Sequence, residues 1–393
     1  MSQVCSIFSQ ILQLFSRLEF EQAVREYKAE RHARGFTCWG QFLAMLFCQL
    51  GQAQSLREIC GGLASCEGKL KHLGLPEAPH KSTLAYANEH RPWQLYEGVF
   101  HRLYARLHSE MAGLPRKFRF RNPLLTIDST IIDLCSSSFD WARFRRGKGA
   151  AKLHLVLDAQ GHLPRYAHIT EGRASDLATA RHWQFEPGTI LACDRAYFDY
   201  VWFERMCREG VFFVTRPRVY CRYEVIEQRE VPKDSNIVRD EVIRLGSPKW
   251  RTRMQSSVRR LEVRIPEKNT TLVLISNLLH LSARTIAEIY RERWQIEVFF
   301  RALKQTLRVK TFVGTSANAL KIQIWTALIA MLLLKYLQLR ATLGWSLSML
   351  VALLRQQLFV HRDLWRWLRD PWQPPEGLPP ETVQLSLLQP SPI

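Results

Sequence analysis

Acidic residues are scarce in this 393-residue sequence: 36 Asp and Glu stand against 55 Lys and Arg, a net charge of +19. That imbalance favours a polyanionic partner, either nucleic acid or an anionic membrane surface, through release of counterions. Long apolar runs are lacking too. The longest, IWTALIAMLLL from Ile324 to Leu334, is about half of the ~20 residues that cross a bilayer, so it reads as a buried helix and a membrane is not an expected partner. The first twenty residues carry neither a basic leader nor a small-residue cleavage site, so a secretory signal is not expected. The nine cysteines are scattered, with no Cys-x-x-Cys pair and no Cys/His cluster at zinc spacing. Reduced thiols and a cytoplasmic location are expected, and cysteine catalysis has no support.

What is present is the composition of a folded chain, 47% hydrophobic and 23% charged, without internal repeats. Residues 1 to about 112 have apolar positions at helical spacing, as in FSQILQLFSRLEFEQAVREYKAE and in GQFLAMLFCQL from Gly40 to Leu50. SLREICGGL and STLAYANEHRPW each open on a serine suited to capping, Ser55 and Ser82. Their outline fits both a helix-turn-helix and an ordinary helical bundle. After the basic hinge PRKFRFRNP, Pro115 to Pro123, the pattern turns to strands in LLTIDSTIIDL, KLHLVLDAQG and LPRYAHITEG. A helix opening at Ser175, the strand TILACDRAY, the helix YVWFERMCREG and the strand VFFVTRP follow, the order of a mixed α/β sheet. Residues 218 to 277 add polar strand-like segments. The tail from Pro371 holds seven of the 18 prolines and is expected to be extended or disordered.

The stretch YRERWQIEVFFRALK, Tyr290 to Lys304, carries the chemistry. On one continuous helix at ~100° per residue, with Tyr290 at zero, Arg293, Glu297 and Lys304 fall near 300°, 340° and 320°, beside a buried face made by Ile289, Ile296, Leu303 and Leu307. A carboxylate at that boundary, flanked by cations, can meet both a metal and a phosphate, although such pairs also decorate solvated helices. Asp128 in LLTIDST and Asp194 in ILACDRAY each stand at the carboxyl end of an apolar run, where a sheet presents ligands. Two aspartates and a glutamate are hard oxygen donors that suit Mg2+ or Mn2+ and two-metal phosphodiester chemistry.

The spacing Tyr-x2-Arg-x3-Glu-x6-Lys, with Asp128 in IDST and Asp194 in CDRAY, resembles the signature of DDE transposases of the insertion-sequence-4 type; Ala196 stands where the family has glycine. The resemblance covers about 122 to 339. It implies a ribonuclease-H-like mixed-sheet catalytic core at 115–217 and 278–342, interrupted by a β-rich insertion at 218–277. A helical N-terminal domain at 1–114 and a helical C-terminal region with its proline-rich tail at 343–393 complete the expected organisation. It further implies that Asp128, Asp194 and Glu297 coordinate two Mg2+ ions, with Mn2+ as a substitute, and that Tyr290, Arg293 and Lys304 hold phosphates of double-stranded DNA. Cutting at inverted repeats, joining of 3′ ends to a target and at least a homodimer during reaction are the implied activity. Alternatives are a nuclease that does not join strands and a catalytically inactive DNA-binding derivative.

Two basic segments are further candidates for DNA contact, or simply solvated surface. RFRRGKGAAK offers Arg143, Arg145, Arg146, Lys148 and Lys152, and KWRTRMQSSVRRLEVR offers Lys249, Arg251, Arg253, Arg259, Arg260 and Arg264. Some relatives hold a flipped base with a tryptophan before the signature helix; TTLVLISN has none, and Trp250 and Trp294 read as packing residues. Asp133, Asp140, Asp158 and Glu292 read as structural.

Overall fold

The computed structural model describes residues 5–31, 33, 35–66, 68–111, 113, 115–134, 149–231, 233, 235–246, 254–306 and 312–373. The N-terminal part is helical: α1 (Ile7–Leu12), α2 (Arg17–Glu26), α3 (Cys38–Leu50), α4 (Leu56–Ala64), α5 (Lys81–His90) and α6 (Gln94–Glu110). Ser6, Ser16, Thr37 and Ser55 cap the first four, each side chain accepting from a backbone N–H three residues on. Ser55 thus caps as expected, but Ser82 does not: α5 starts at Lys81, one residue before it, with His80 at the cap position and no side-chain cap.

The strands follow as β1 (Leu124–Leu134), β2 (Gly149–Asp158), β3 (Leu163–Glu171), β4 (Ile190–Cys193) and β5 (Phe212–Thr215), with α7 (Asp176–Ala180) and α8 (Tyr200–Arg208) on either side of β4 in sequence. Ser175 caps α7. The polar segment supplies β6 (Tyr223–Gln228), β7 (Ile237–Leu245), β8 (Val258–Ile265) and β9 (Thr270–Ser276). All join one nine-stranded sheet in the order β3-β2-β1-β4-β5-β9-β8-β7-β6. β1, β4 and β5 run parallel, and β9 adds antiparallel to β5, so the insertion extends the sheet.

Period-two alternation sends the two sides of the central strands into different cores. Leu125, Ile127, Leu191 and Cys193 face the cluster that contains Trp202 and Phe203 of α8. Leu124, Ile190 and Ala192 face the cluster that contains Ile286, Ile289 and Tyr290 of α9 (Ala283–Glu292). α10 (Trp294–Thr306), α11 (Ala317–Arg340), α12 (Leu347–Gln357) and α13 (Leu364–Arg369) complete the chain. The apolar run lies inside α11, which is 24 residues and so long and apolar enough to cross a membrane; 83% of its apolar window is nonetheless buried in the protein. α11 packs against α3, α5, α6, α12 and β3, making one core of the N-terminal helices and the sheet.

Candidate active site

Asp128 and Asp194 come together because of register. β1 pairs with β4 up to Ile127 and Cys193, the last parallel partners, and the next residue on each strand is an aspartate. Adjacent strands lie about 4.8 Å apart, so the two carboxylates stand side by side, alternating onto the α9 face. Asp194 follows the end of β4 as expected. Asp128 does not end its strand: β1 continues to Leu134 because its other neighbour, β2, goes on pairing with it. The position is exposed to ligands because the parallel partner stops, not because β1 does. Local hydrogen bonds fix both groups. Asp128 Oδ1 accepts from Ser129 N–H at 2.8 Å, and Asp194 Oδ1 accepts from Ala196 N–H at 2.7 Å in a tight 3-10 turn.

The stretch Tyr290 to Lys304 is not one helix. α9 ends at Glu292 and α10 begins at Trp294, with three-residue bonds from Arg293 N–H to Tyr290 C=O and from Ile296 N–H to Arg293 C=O, both 3.2 Å. No proline or glycine causes the break. It falls where side chains are tethered on opposite sides. Glu292 is 4% exposed and ion-paired to Lys117, with His162 at 3.4 Å, while Arg293 reaches Asp128. Arg293 nonetheless keeps a right-handed helical backbone, so Tyr290, Arg293 and Glu297 remain on one stripe beside the buried Ile289, Ile296 and Leu303.

Arg293 links Asp128 and Glu297. Its Nη2 is 2.7 Å from Glu297 Oε1 and its Nη1 is 3.7 Å from Asp128 Oδ2; its guanidinium also lies 5.7 Å from the centre of the Tyr290 ring. Burial pushes the Asp128 carboxyl up to about 6, and the negative charges of Asp194 and Glu297 push the same way, while the Ser129 N–H and Arg293 oppose them. Such crowding of hard oxygen donors calls for cations. Among the described residues no cluster of three or more His, Cys, Asp or Glu side chains is assembled as a metal cage; the cation between Asp128 and Glu297 is the Arg293 guanidinium. The donor chemistry fits a divalent hard cation. Lys304 is half-buried near the end of α10.

Beneath the site, on the other face, lies a cluster that the sequence did not announce. Ser129 donates to Asp176 Oδ1 at 2.7 Å; Lys152 Nζ lies 3.3 Å and His154 Nδ1 3.4 Å from the same oxygen. Lys152 also donates to the Ala174 carbonyl and is only 13% exposed, so it braces the sheet instead of offering a phosphate contact. The register sets Ser129 opposite His154, and α7 brings Asp176 onto them; in the sequence Asp176 looks like an ordinary first-turn acid.

The other basic candidates divide. Arg143, Arg145, Arg146, Lys148, Lys249, Arg251 and Arg253 lie outside the described residues, as do Trp250 and Asp140. Arg259 and Arg260 are buried, paired with Asp240 at 2.5 Å and with Glu241 at 2.9 Å, so they hold the insertion together and do not face DNA. Trp294 is 51% exposed, contrary to a packing role. Asp158 does close a turn, accepting from Gln160 N–H.

A family described as the transposase DDE domain matches residues 119–333, and a domain family of unknown function matches residues 3–76. A Sinorhizobium fredii chain named as transposase y4zB is 30% identical over 312 residues, 78% of this chain and 85% of that one. A Geobacillus stearothermophilus chain named as a transposase for insertion sequence element IS5377 is 28% identical, covering 67% of this chain and 68% of its own. One from Synechocystis, named for element IS4SA, is 23% identical over 70% of this chain and 77% of its own. Matched by that family over more than half of its length, the chain belongs to the transposase DDE family.

Proposed function

We propose that the protein is an insertion-sequence-4-type transposase with a ribonuclease-H-like core. It binds the inverted repeats of its element as double-stranded DNA, cuts at the ends and joins the 3′ ends to a target. The observation that carries this reading is the placement of Asp128 and Asp194 beyond the last parallel pair of β1 and β4, with Glu297 joined to Asp128 through Arg293. Asp128, Asp194 and Glu297 would hold two Mg2+ ions, or Mn2+ in their place. When bound, such ions activate the attacking oxygen and neutralise the leaving one.

The chain's own residues supply the rest. The scissile phosphate sits over Asp128 and Asp194, and Arg293, 3.7 Å from Asp128, orients a non-bridging oxygen. Tyr290 supports the Arg293 guanidinium from the buried side, and Lys304 reaches the strand further along α10. Attack by a water or a 3′ hydroxyl oxygen forms one P–O bond as the opposite P–O bond breaks. The chain acts in the cytoplasm on nucleoid DNA, and pairing of two ends requires at least a homodimer. Residues 1–114, 115–217 with 278–342, 218–277 and 343–393 are read as N-terminal domain, core, insertion and C-terminal region.

The test is cleavage of labelled duplex carrying the element's end, with Mg2+ and with EDTA, by wild type and by Asp128→Asn, Asp194→Asn and Glu297→Gln. Cutting at the boundary is expected only with metal and only in wild type, with binding retained in the variants. Binding without cleavage by wild type would instead favour a catalytically inactive DNA-binding protein, and cutting without joining a nuclease.

A further inference from the structure

On the far side of the α9–α10 junction from the acidic trio, the hinge segment 115–123 walls a cleft of about 750 Å³ whose lining includes Glu292 and Gln295. The segment reads RKFRFR from Arg116 to Arg121, alternating cations and aromatics. Phe118 and Phe120 stack on each other at 4.9 Å and 20°, half-buried against the α9 core, and both line the cleft. Arg116, Arg119 and Arg121 are exposed, and among the described residues none of the three has an acidic partner. The cleft's own acids are engaged. Glu292 holds Lys117 and His162, Asp158 holds His108, and Glu186 at the rim lies 4.0 Å from Arg165. The lining cations left without an acidic partner among the described residues are Arg116 and Arg121.

We infer that this cleft binds unpaired DNA, with Arg116 and Arg121 on phosphates and the Phe118/Phe120 pair as a stacking platform. A concave slot of this size suits a few nucleotides and excludes a duplex, and interleaved cations and aromatics are the chemistry of sequence-tolerant single-strand binding. Leu124 lines the cleft and Asp128 lies four residues on along β1, about 13 Å away. One strand parted from its complement during cutting can therefore lie at the trio and in the cleft together. The inference rests on the reading of the chain as a DNA-cutting enzyme for its biological use, but not for its binding chemistry.

The experiment uses the full chain and a single strand of about 12 nucleotides carrying photoreactive iodouracil. Crosslinks mapped by mass spectrometry are expected at Phe118 or Phe120. Arg116→Gln with Arg121→Gln, both exposed, should lower the salt slope of single-strand binding by about 1.4, two contacts at about 0.7 each. Phe118→Leu with Phe120→Leu, which keeps apolar volume, should weaken binding about tenfold or more. Crosslinks confined to other segments, an unchanged salt slope, or displacement of the strand by an equal amount of duplex would overturn the inference. Cutting of the element's end by wild type is measured in parallel. Its absence beside normal crosslinking would count against the transposase activity and not the cleft, and normal cutting with an unchanged slope would count against the cleft alone.

Discussion

The buried pair Arg259–Asp240 offers a prediction whose size can be worked from the structure. Asp240 on β7 and Arg259 on β8 are 3% and 5% exposed, joined by two bonds of 2.5 and 2.7 Å, and Arg259 also donates to the Leu281 carbonyl just before α9. Asp240→Ala leaves a guanidinium without its counter-charge in an apolar setting and should cost about 3–5 kcal/mol. Replacing both ions by apolar groups of similar volume, Asp240→Leu with Arg259→Met, should recover most of that loss, because the penalty comes from the orphaned ion and not from the absent bond. Urea unfolding followed by circular dichroism reads both: a midpoint shift of about 1 M or more is expected for the single variant, taking a slope near 3 kcal/mol/M. DNA binding by the double variant should keep the salt slope of wild type. A slope lower by about 0.9, the loss of one duplex phosphate contact, or an Asp240→Ala protein as stable as wild type, would refute the assignment of Arg259 to the interior.

Burial holds the His154 imidazole down at about 4, and its side chain is 1% exposed. The unfolded chain then binds the extra proton between pH 6.5 and 4, so stability should fall by on the order of 3 kcal/mol as pH drops through that window, and His154→Gln should flatten that part of the unfolding profile. Gly161 has φ of +80°, and a Cβ there would meet Leu339 Cδ1 at 2.6 Å. Gly161→Ala should therefore lower thermal stability by more than ~1 kcal/mol, whereas Gly113, with open space around it, should tolerate alanine within about 0.5 kcal/mol. Leu328→Ala in the fully buried centre of α11 should cost about 2–5 kcal/mol in chemical denaturation.

Much of this architecture was legible in the sequence because the central strands alternate or run apolar and their turns carry clear signals. β1 falls on the residues expected, and the order of three strands, helix, strand, helix, strand is the one observed. The pairing of Asp128 with Asp194 was legible for a different reason: each follows an apolar strand run, and the β1–β4 register sets the two positions side by side. What stayed hidden depends on tertiary contact. The break at Arg293 has no local breaker residue and coincides with tethers from Glu292 to Lys117, 175 positions earlier in the chain, and from Arg293 to Asp128. Arg259 and Arg260 look like solvated charge until the β7–β8 register sets them against Asp240 and Glu241. Asp176 of α7 meets Lys152 and His154 of β2 only through tertiary contact.

The central claim is that Asp128, Asp194 and Glu297 act together as hard ligands for DNA cleavage, and Asp194→Cys tests it most directly. A thiolate is a poor ligand for Mg2+ and a better one for the softer Mn2+. The variant should bind the element's end, fail to cut it with Mg2+ and regain cutting with Mn2+, while wild type cuts with either. Undiminished cutting by Asp194→Cys in Mg2+ would contradict a direct ligand role for this carboxylate.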